Sequence, residues 1–484
     1  MDDADFSSYT INFSFRMEVV MAEKITARNV SFEYLHTDEA FLNDINLQVN
    51  AGECLLICGV SGSGKTTFSR LLNGISPDYI EGDLEGHLET FGLIAGESAI
   101  EEYVPVVGSV FQNPKTQHFT VDTTSELAFP LENMGEDPKV IRKQIREKAN
   151  AFEMDDLLDR NIFNLSGGEK QQIAFVSANM TEPKVLILDE VTSNLDQEAI
   201  HRIREMIKTL KNRGVTIVIF EHRLAWTKDL VDRYILFDEG KVSKEWTAEE
   251  FLKLNNNDLN QLGLRSMDLS KHREKMEEKQ FMMPNGKLQT KDLTVGYGNQ
   301  PVLTNLNLSF AGGEIIGLMG SNGTGKSTLA NTLTGLQKPI SGEILWGGKN
   351  ISAKQLVKKS YLVMQDMNYQ LFSDSVEEEV SLGAKYLEHL DAVIEQLNLT
   401  PYKERHPMSL SEGQKQRVAI ASALLSGKEI IIFDEPTSGL DYEHMERFGR
   451  LLQELKQSKA VILVITHDKE LAADWCDSII HLKH

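Results

Sequence analysis

The chain has 484 residues, of which 41% are hydrophobic and 25% charged, and this composition supports two to four globular domains with apolar cores. Its 72 acidic and 50 basic residues give a net charge of −22, which repels phosphate backbones and argues against nucleic acid as the main partner. No continuous apolar stretch approaches the ~18 residues that a membrane helix needs. We expect Cys54, Cys58 and Cys476 to be core residues rather than parts of a metal site or disulfide.

The first segment, residues 1–22, is predicted to be an N-terminal extension. It carries Asp2, Asp3 and Asp5 and lacks the basic region and apolar core of a signal peptide. Recognisable domain sequence begins only near residue 23, so we expect Met17 or Met21 to be the physiological start.

A glycine-rich loop at residues 59–66 (GVSGSGKT) follows a short apolar run, and residues 320–327 (GSNGTGKS) repeat this arrangement. The pattern predicts a buried strand, a tight turn and a helix whose N-terminal amides converge on phosphate. Lysine would reach the terminal phosphates, and the next hydroxyl would bind Mg²⁺. The predicted nucleotide contacts are Gly59, Ser61, Gly62, Gly64, Lys65, Thr66 and Thr67, and Gly320, Asn322, Gly323, Gly325, Lys326, Ser327 and Thr328.

A serine begins a predicted helix in each half, Ser166 in LSGGEK and Ser411 in LSEGQK. Serine followed three residues later by Glu or Gln is a capping box, which by itself explains a single copy. Because the pattern recurs before each acid pair described next, we prefer a second phosphate-binding edge. Its predicted members are Ser166 and Gly168, and Ser411 and Gly413.

Two strongly apolar strands end in adjacent acids, Asp189-Glu190 and Asp434-Glu435. A lone pair of this kind is more often a solvated strand end. Two copies favour phosphoryl-transfer chemistry, in which the aspartate holds Mg²⁺ and the glutamate orients or deprotonates the attacking water.

The next apolar strands end in His222 and His467, at the same spacing from their aspartates. A lone histidine is usually structural, but the matched positions predict contacts to the γ-phosphate that position the water. Tyr34 and Tyr297 precede the two loops, where a ring could stack on adenine or, nearly as well, pack in a core.

These motifs align the chain with itself. Asp189 recurs 245 positions later as Asp434 (434 − 189), and the serines and histidines keep this offset. So long a repeat indicates two whole α/β domains rather than a solenoid. We predict one domain over residues 23–246, a linker with a short helix and a tether over residues 247–287, and a second domain over residues 288–484.

The ordered set of loop, glutamine, Leu-Ser-Gly-Gly-type signature, acid pair and histidine resembles the nucleotide-binding subunits of ABC transporters. The resemblance implies an α/β fold with two tandem P-loop NTPase domains, each with a RecA-like core and a helical subdomain. It implies ATP and Mg²⁺ as ligands, and Gln112 and Gln365 as nucleotide and Mg²⁺ contacts. It also implies that the halves stack head to tail. One site would then combine Lys65, Gln112, Asp189, Glu190 and His222 with Ser411 and Gly413, and the other Lys326, Gln365, Asp434, Glu435 and His467 with Ser166 and Gly168.

A narrower resemblance links the segments after the glutamines, FQNPKTQHF and QDMNYQLF, to the ATPases of energy-coupling factor importers. It implies a transmembrane T subunit and a substrate-capturing S subunit as partners, and a vitamin or transition-metal ion as cargo. The chain would then be peripheral on the cytoplasmic face of the cell membrane.

Two positions depart from the family pattern. Glu412 replaces the first signature glycine in the second half, and Val191 replaces the proline found at Pro436. An extra carboxylate close to the γ-phosphate predicts a slower Lys65 site. We therefore expect Glu435→Gln to cost more turnover than Glu190→Gln.

Two other functions remain open at this point. Soluble tandem ATPases of the ABC-F type act on ribosomes, but they typically show Asn-His-Leu-Asp after the acid pair and a long charged linker, whereas this chain shows Ser193-Asn194-Leu195-Asp196. Fused sugar-importer ATPases are closer, yet their second halves usually have weakened nucleotide motifs.

Overall fold

The computed structural model describes residues 24–35, 40–193, 195–279, 286–365 and 367–482, without the side chains of Ala40, Lys115 and Glu412. The predicted extension, with Met17 and Met21, and the Glu412 carboxylate therefore lie outside the described residues. Among the helices of these ranges, none combines the length and the hydropathy that a membrane span requires.

The first half alternates strands and helices. Its strands are β1 (Lys24–Tyr34), β2 (Ala40–Asn50), β3 (Cys54–Cys58), β4 (Gly82–Thr90), β5 (Leu93–Ile94), β6 (Val107–Val110), β7 (Val185–Asp189), β8 (Thr216–Phe220), β9 (Arg233–Asp238) and β10 (Lys241–Thr247). Its helices are α1 (Lys65–Leu72), α2 (Ile100–Tyr103), α3 (Thr123–Asn133), α4 (Pro138–Ala151), α5 (Gly167–Ala178) and α6 (Gln197–Asn212).

The connecting segment contains α7 (Ala248–Phe251), α8 (Asn256–Gln261) and α9 (Ser270–Glu278). The strands of the second half are β11 (Leu288–Tyr297), β12 (Gln300–Leu306), β13 (Ser309–Phe310), β14 (Glu314–Met319), β15 (Ser341–Trp346), β16 (Lys349–Asn350), β17 (Ser360–Val363), β18 (Ile430–Asp434), β19 (Val461–Ile465) and β20 (Ser478–His481). Its helices are α10 (Lys326–Leu333), α11 (Ala353–Lys359), α12 (Val376–Ser381), α13 (Leu390–Gln396), α14 (Glu412–Leu425), α15 (Tyr442–Lys456) and α16 (Lys469–Trp475).

Each half is built on a parallel sheet. The order is β10-β9-β3-β8-β7-β6 in the first half, with β10 antiparallel at the edge, and β17-β18-β19-β14-β20 in the second. The central strands β3, β7, β8, β18 and β19 are buried along their whole length, because helices or a second sheet cover both faces. Parallel strands bring their carboxyl ends to one edge of the sheet. In each half, the glycine-rich loop, the acid pair and the histidine therefore lie together at that edge.

A second, antiparallel sheet flanks each core, ordered β2-β1-β4-β5 in the first half and β12-β11-β15-β16 in the second. The helices between each glutamine and its acid pair form a further layer, with α3, α4 and α5 in one half and α12, α13 and α14 in the other. Both halves therefore have the predicted core and helical subdomain, and the predicted α/β fold is confirmed.

The prediction of one short helix and a tether does not hold for residues 247–279, which form three helices, and residues 280–285 lie outside the described residues. Phe251, Leu259 and Leu264 are buried in the hydrophobic core of the first half. Met276, on α9, is buried in the core of the second half. The described part of the segment up to residue 279 thus packs against both halves. Its polar composition concealed this, because a few apolar side chains are enough to fix short helices.

Phe251 provides a test of this attachment. Its ring stacks on Tyr234 with centroids 3.9 Å apart. We expect Phe251→Ala to lower the free energy of unfolding of the first half by about 3–5 kcal/mol, the cost of emptying a buried aromatic site. Urea denaturation followed by tryptophan fluorescence measures this. Leu252→Ala, at an exposed neighbouring position, should change the free energy by less than ~1 kcal/mol. Equal effects of the two variants would contradict the attachment.

Candidate functional site

The two glycine-rich loops lead directly into helices that begin at Lys65 and Lys326. The preceding residues, Gly64 and Gly325, have φ values of 95° and 88°, which a side chain would strain. A Cβ at Gly64 would also lie 2.7 Å from Leu42 Cδ2. The sequence therefore requires glycine for the sharp turn that aims the amides at the start of each helix outward.

The loop lysines hold their own loops closed. Lys65 Nζ donates to the carbonyl oxygens of Gly59 and Val60, both at 3.0 Å. Lys326 Nζ donates to the carbonyl oxygen of Gly320 at 2.7 Å. Burial lowers the pKa of both lysines. Each ammonium group therefore lies inside its loop, where an anionic phosphate can replace a carbonyl oxygen as its hydrogen-bond partner.

The donors around Asp434 suit Mg²⁺. Ser327 Oγ donates to Asp434 Oδ2 at 2.7 Å, and Gln365 lines the same cavity. A hydroxyl, a carboxylate and an amide oxygen form the hard oxygen set that Mg²⁺ prefers. In the first half, burial and the charge of Glu190 raise the pKa of Asp189 to about 7. A cation would relieve this unfavourable burial of negative charge.

The two candidate catalytic glutamates have a strained backbone. Glu190 and Glu435 have φ values of 48° and 51°, a left-handed conformation that costs non-glycine residues roughly 1–3 kcal/mol. Amide hydrogen bonds to the carbonyl oxygens of Phe220 and Ile465, both at 2.9 Å, hold them there. Retention of the same strain in both halves indicates that it places the carboxylates where they are needed.

The surroundings of the two glutamates differ. Both oxygens of Glu190 have partners, with Gln112 Nε2 at 2.8 Å and His222 Nε2 at 2.9 Å. Although burial opposes it, His222 lowers the pKa of Glu190. Glu435 Oε1 has no hydrogen-bond partner among the described residues and lies 3.4 Å from His467 Nε2.

The pKa values of the ionisable groups in the second site reflect this difference in surroundings. Burial and the charge of Asp434 raise the pKa of Glu435 to about 8. Burial and Lys326 lower the pKa of His467 to about 4, so this imidazole is neutral near pH 7. His467 Nε2 lies 2.9 Å from Asn322 Oδ1. The second site thus contains an orphaned carboxylate oxygen and a neutral imidazole beside its loop, an arrangement that can accept and position a water.

Reciprocal contacts join the two halves head to tail. Asp441 Oδ2 accepts from the Ser61 amide and Asp196 Oδ2 from the Asn322 amide, both at 2.7 Å. Sequence reasoning did not assign these aspartates to the sites. The repeat contained the signal, because the two aspartates are separated by the same 245 residues as Ser193 and Ser438, which also bond across the interface.

A cavity of about 570 Å³ lies between the halves at the second loop. Lys326 and Glu435 line it from one half, and Ser166 and Gly167 line it from the other. Gly168, the next residue, packs against the neighbouring helix, where a Cβ would lie 2.8 Å from the Cβ of Ala199. The N-terminus of α5 therefore faces the second loop across the interface.

The cavity also reaches Gln112 and Gly413, which the sequence placed in the other site. Ser166 and Ser411 each cap a helix, with Glu169 and Gln414 completing capping boxes. Ser166 therefore caps its helix, as the alternative interpretation predicts, and also lines the cavity.

The predicted adenine-stacking rings lie beside the loops. Tyr34 Oη is 3.0 Å from Thr67 Oγ1, and Thr328 Oγ1 donates to Tyr297 Oη at 3.2 Å. Tyr34 also packs edge-on against Phe41, whereas Tyr297 is exposed and lines the cavity. Of these two tyrosines, Tyr297 is therefore the one that lines the cavity.

Comparison with known proteins agrees with this geometry. The family model described as "ABC transporter" matches residues 42–193 and again residues 303–438. A candidate ABC transporter ATP-binding protein of Treponema denticola is 42% identical over 467 residues, covering 95% of each chain. One from Methanosarcina mazei is 32% identical over 510 residues, covering 94% of this chain and 86% of the relative.

Solved structures share the tandem fold. A complex of the archaeal ribosome recycling factor aABCE1 with the stalk protein aP1 superposes with a TM-score of 0.64 at 22% identity, covering 94% of this chain and 87% of the other. Ribosome-bound archaeal Pelota and ABCE1 gives 0.68 at 21% identity, with coverages of 96% and 77%. The chain belongs to the ABC transporter family and carries its ATP-binding domain twice, which makes it a tandem ATPase that uses ATP and Mg²⁺.

Proposed function

We propose that the chain is the ATP-hydrolysing motor subunit of an importer of the energy-coupling factor type. It works on the cytoplasmic face of the membrane with a transmembrane T subunit and a substrate-binding S subunit, and takes up a vitamin or a transition-metal ion. The observation that carries this proposal is a pair of exposed aromatic side chains at equivalent positions in the two halves.

These side chains follow the two glutamines. Phe119 and Phe372 are each 72% exposed and stand at the same sequence distance from Gln112 and Gln365. Phe163 and Met408, which also occupy equivalent positions, are 74% and 43% exposed. Both are close in sequence to the signatures. Large apolar side chains exposed in a repeated pattern indicate a surface that a partner covers.

Buried carboxylates fix the loops that carry the two phenylalanines. Glu126 Oε2 accepts from the Phe119 and Thr120 amides at 3.0 and 2.9 Å. Glu379 Oε2 accepts from the Phe372 and Ser373 amides at 2.8 and 2.7 Å. Both glutamates are buried. The phenylalanines are therefore held outward on ordered loops, which lowers the entropic cost of docking.

The same loops connect the exposed rings to the nucleotide sites. Gln117 Oε1 accepts from the Phe111 amide at 3.1 Å, and Gln117 Nε2 donates to the Ser109 carbonyl at 2.8 Å. The chain between Gln112, which contacts Glu190, and Phe119 is thus pinned to β6. Movement of Gln112 on nucleotide binding would be passed to the docking surface, and this supports a motor role.

The proposed catalytic roles follow from the geometry of the second site. The loop amides and Lys326 bind phosphates, while Ser327, Asp434 and Gln365 hold Mg²⁺, which neutralises phosphate charge when bound. Glu435, in its ionised form, takes a proton from the attacking water, and His467 orients that water. Ser166 and Gly168 close the site from the other half, next to Gly167, which lines the cavity. The equivalent residues of the first half form the Lys65 site with Ser411 and Gly413.

Action on ribosomes is the alternative that an experiment must separate. The structural similarity to ribosome-bound ABCE1, at 21% identity, speaks for the fold alone. The net charge of −22 opposes binding to ribosomal RNA. The exposed phenylalanines favour a protein surface such as the cytoplasmic helices of a membrane subunit.

Docking through the phenylalanines is testable by co-expression of the tagged chain with the membrane proteins encoded by neighbouring genes. We expect a complex to co-purify in detergent, and Phe119→Ala with Phe372→Ala to reduce recovery at least about tenfold, because aromatic anchors typically contribute about 2 kcal/mol each. The ATPase activity of the isolated variant should be unchanged.

Tyr79→Ala, at an exposed position outside the glutamine segments, is the matched control and should leave recovery intact. Unchanged recovery of the double variant would contradict docking through the phenylalanines. A chain that ignores the membrane proteins and sediments with ribosomes would overturn the importer proposal.

The two glutamates should differ in their effect on phosphate release at saturating ATP. Glu435→Gln should reduce turnover by about 100-fold at the site that it serves, a typical loss for a general base. Glu190→Gln should reduce total turnover less, because Glu190 is already bonded to Gln112 and His222. Glu198→Gln, on an exposed helix position, is the control. Equal or reversed losses would rule out this asymmetry.

A further inference from the structure

We propose that Arg265, in the connecting segment, is a positioning residue for the Lys65 site. It holds the turn before Asp441 of the second half against the glycine-rich loop of the first half. This inference rests on the proposed ATP sites but is independent of any membrane partner.

The first observation is the burial and bonding of Arg265. Its side chain is fully buried between the halves, at 1% exposure. Its guanidinium group donates to Glu470 Oε2 at 2.7 Å and to the Asp468 carboxylate. It also donates to the Leu440 carbonyl oxygen at 3.4 Å. The next amide, that of Ser266, donates to Glu470 Oε1 at 2.8 Å, so the guanidinium group is fixed by its neighbours.

The partners of Arg265 adjoin functional residues of the second half. Leu440 directly precedes Asp441, whose carboxylate accepts from the Ser61 amide at 2.7 Å. Asp468 directly follows His467 and also accepts from Thr437 Oγ1 at 2.8 Å. A single guanidinium group therefore ties together the two turns that flank the interface with the first half.

The connecting segment also touches the first glycine-rich loop. Gly263 has a φ of 72°, and a Cβ there would lie 2.5 Å from Val60 Cγ1. Leu264, the next residue, is buried in the core of the first half. Between Gly263 and Arg265, the chain thus runs from the first glycine-rich loop to the turn of the second half that contacts this loop. This places the segment at the Lys65 site.

The second site cannot form the same contact. The offset of 245 residues places Arg223 and Ala225 in the first half where Asp468 and Glu470 stand in the second. The side chains of arginine and alanine cannot accept hydrogen bonds from a guanidinium group. The Lys65 site is consequently held assembled by the connecting segment, whereas the Lys326 site relies on the direct contacts between the halves.

Hydrogen exchange of the nucleotide-free chain tests this role, because the Ser61 and Asn322 amides make equivalent contacts to Asp441 and Asp196. In Arg265→Lys the charge is kept, but an ammonium group cannot bridge Asp468, Glu470 and Leu440 as the guanidinium group does. We expect exchange of the peptide containing Ser61 to become about tenfold faster, the change that weakening one hydrogen bond produces. Exchange of the peptide containing Asn322 should change less than about twofold.

Arg265→Met removes the charge and should produce a larger effect at Ser61. Arg273→Met, at an exposed position of α9, is the matched control and should leave both peptides unchanged. Unchanged exchange at Ser61 in a folded Arg265→Lys chain would overturn the proposal. Equal acceleration at Ser61 and Asn322 would also overturn it, because that result indicates general loosening. Neither outcome depends on transport or on catalytic turnover.

Discussion

The assembly of both sites depends on two aspartates. Each uses one carboxylate oxygen within its own half and the other across the interface. In Asp196 and in Asp441, Oδ1 caps the helix that follows, accepting from the Ala199 and His444 amides at 2.9 and 2.8 Å. Oδ2 accepts from the glycine-rich loop of the opposite half. Burial alone would raise the pKa of Asp196, but these amide donors lower it. Each loop is therefore completed by a carboxylate that its own half cannot supply, and neither half contains a whole site.

Fusion of the halves allows the two sites to diverge while this reciprocal contact is kept. In two identical chains, both interfaces would be the same. Here one half offers Asp468 and Glu470 to Arg265, and the other has Arg223 and Ala225 at those positions. The candidate bases diverge in the same direction, since Glu190 is fully bonded and Glu435 is not. The two sites thus differ both in the contacts that hold them together and in the partners of the candidate base.

Much of this architecture could be predicted from sequence because the chemistry is local. A glycine-rich loop after an apolar run, or an acid pair that ends a buried strand, identifies itself within a few residues. Contacts between segments that are far apart in the sequence leave no such local pattern. Arg265 lies in a polar stretch whose composition predicts a tether, and its partners are about 200 residues away. The recurrence of Asp196 as Asp441 is visible in the repeat, but the contact of each aspartate with the opposite loop is not.

Native mass spectrometry of the chain carrying Glu190→Gln and Glu435→Gln, after incubation with ATP and Mg²⁺, examines whether one chain assembles both sites. Blocked hydrolysis should trap the nucleotide. If the halves of one chain complete each other, the trapped particle has the mass of a single 54.4 kDa chain with two ATP molecules. If ATP is retained only in particles of two chains, the sites form between chains and the intramolecular head-to-tail assembly is wrong.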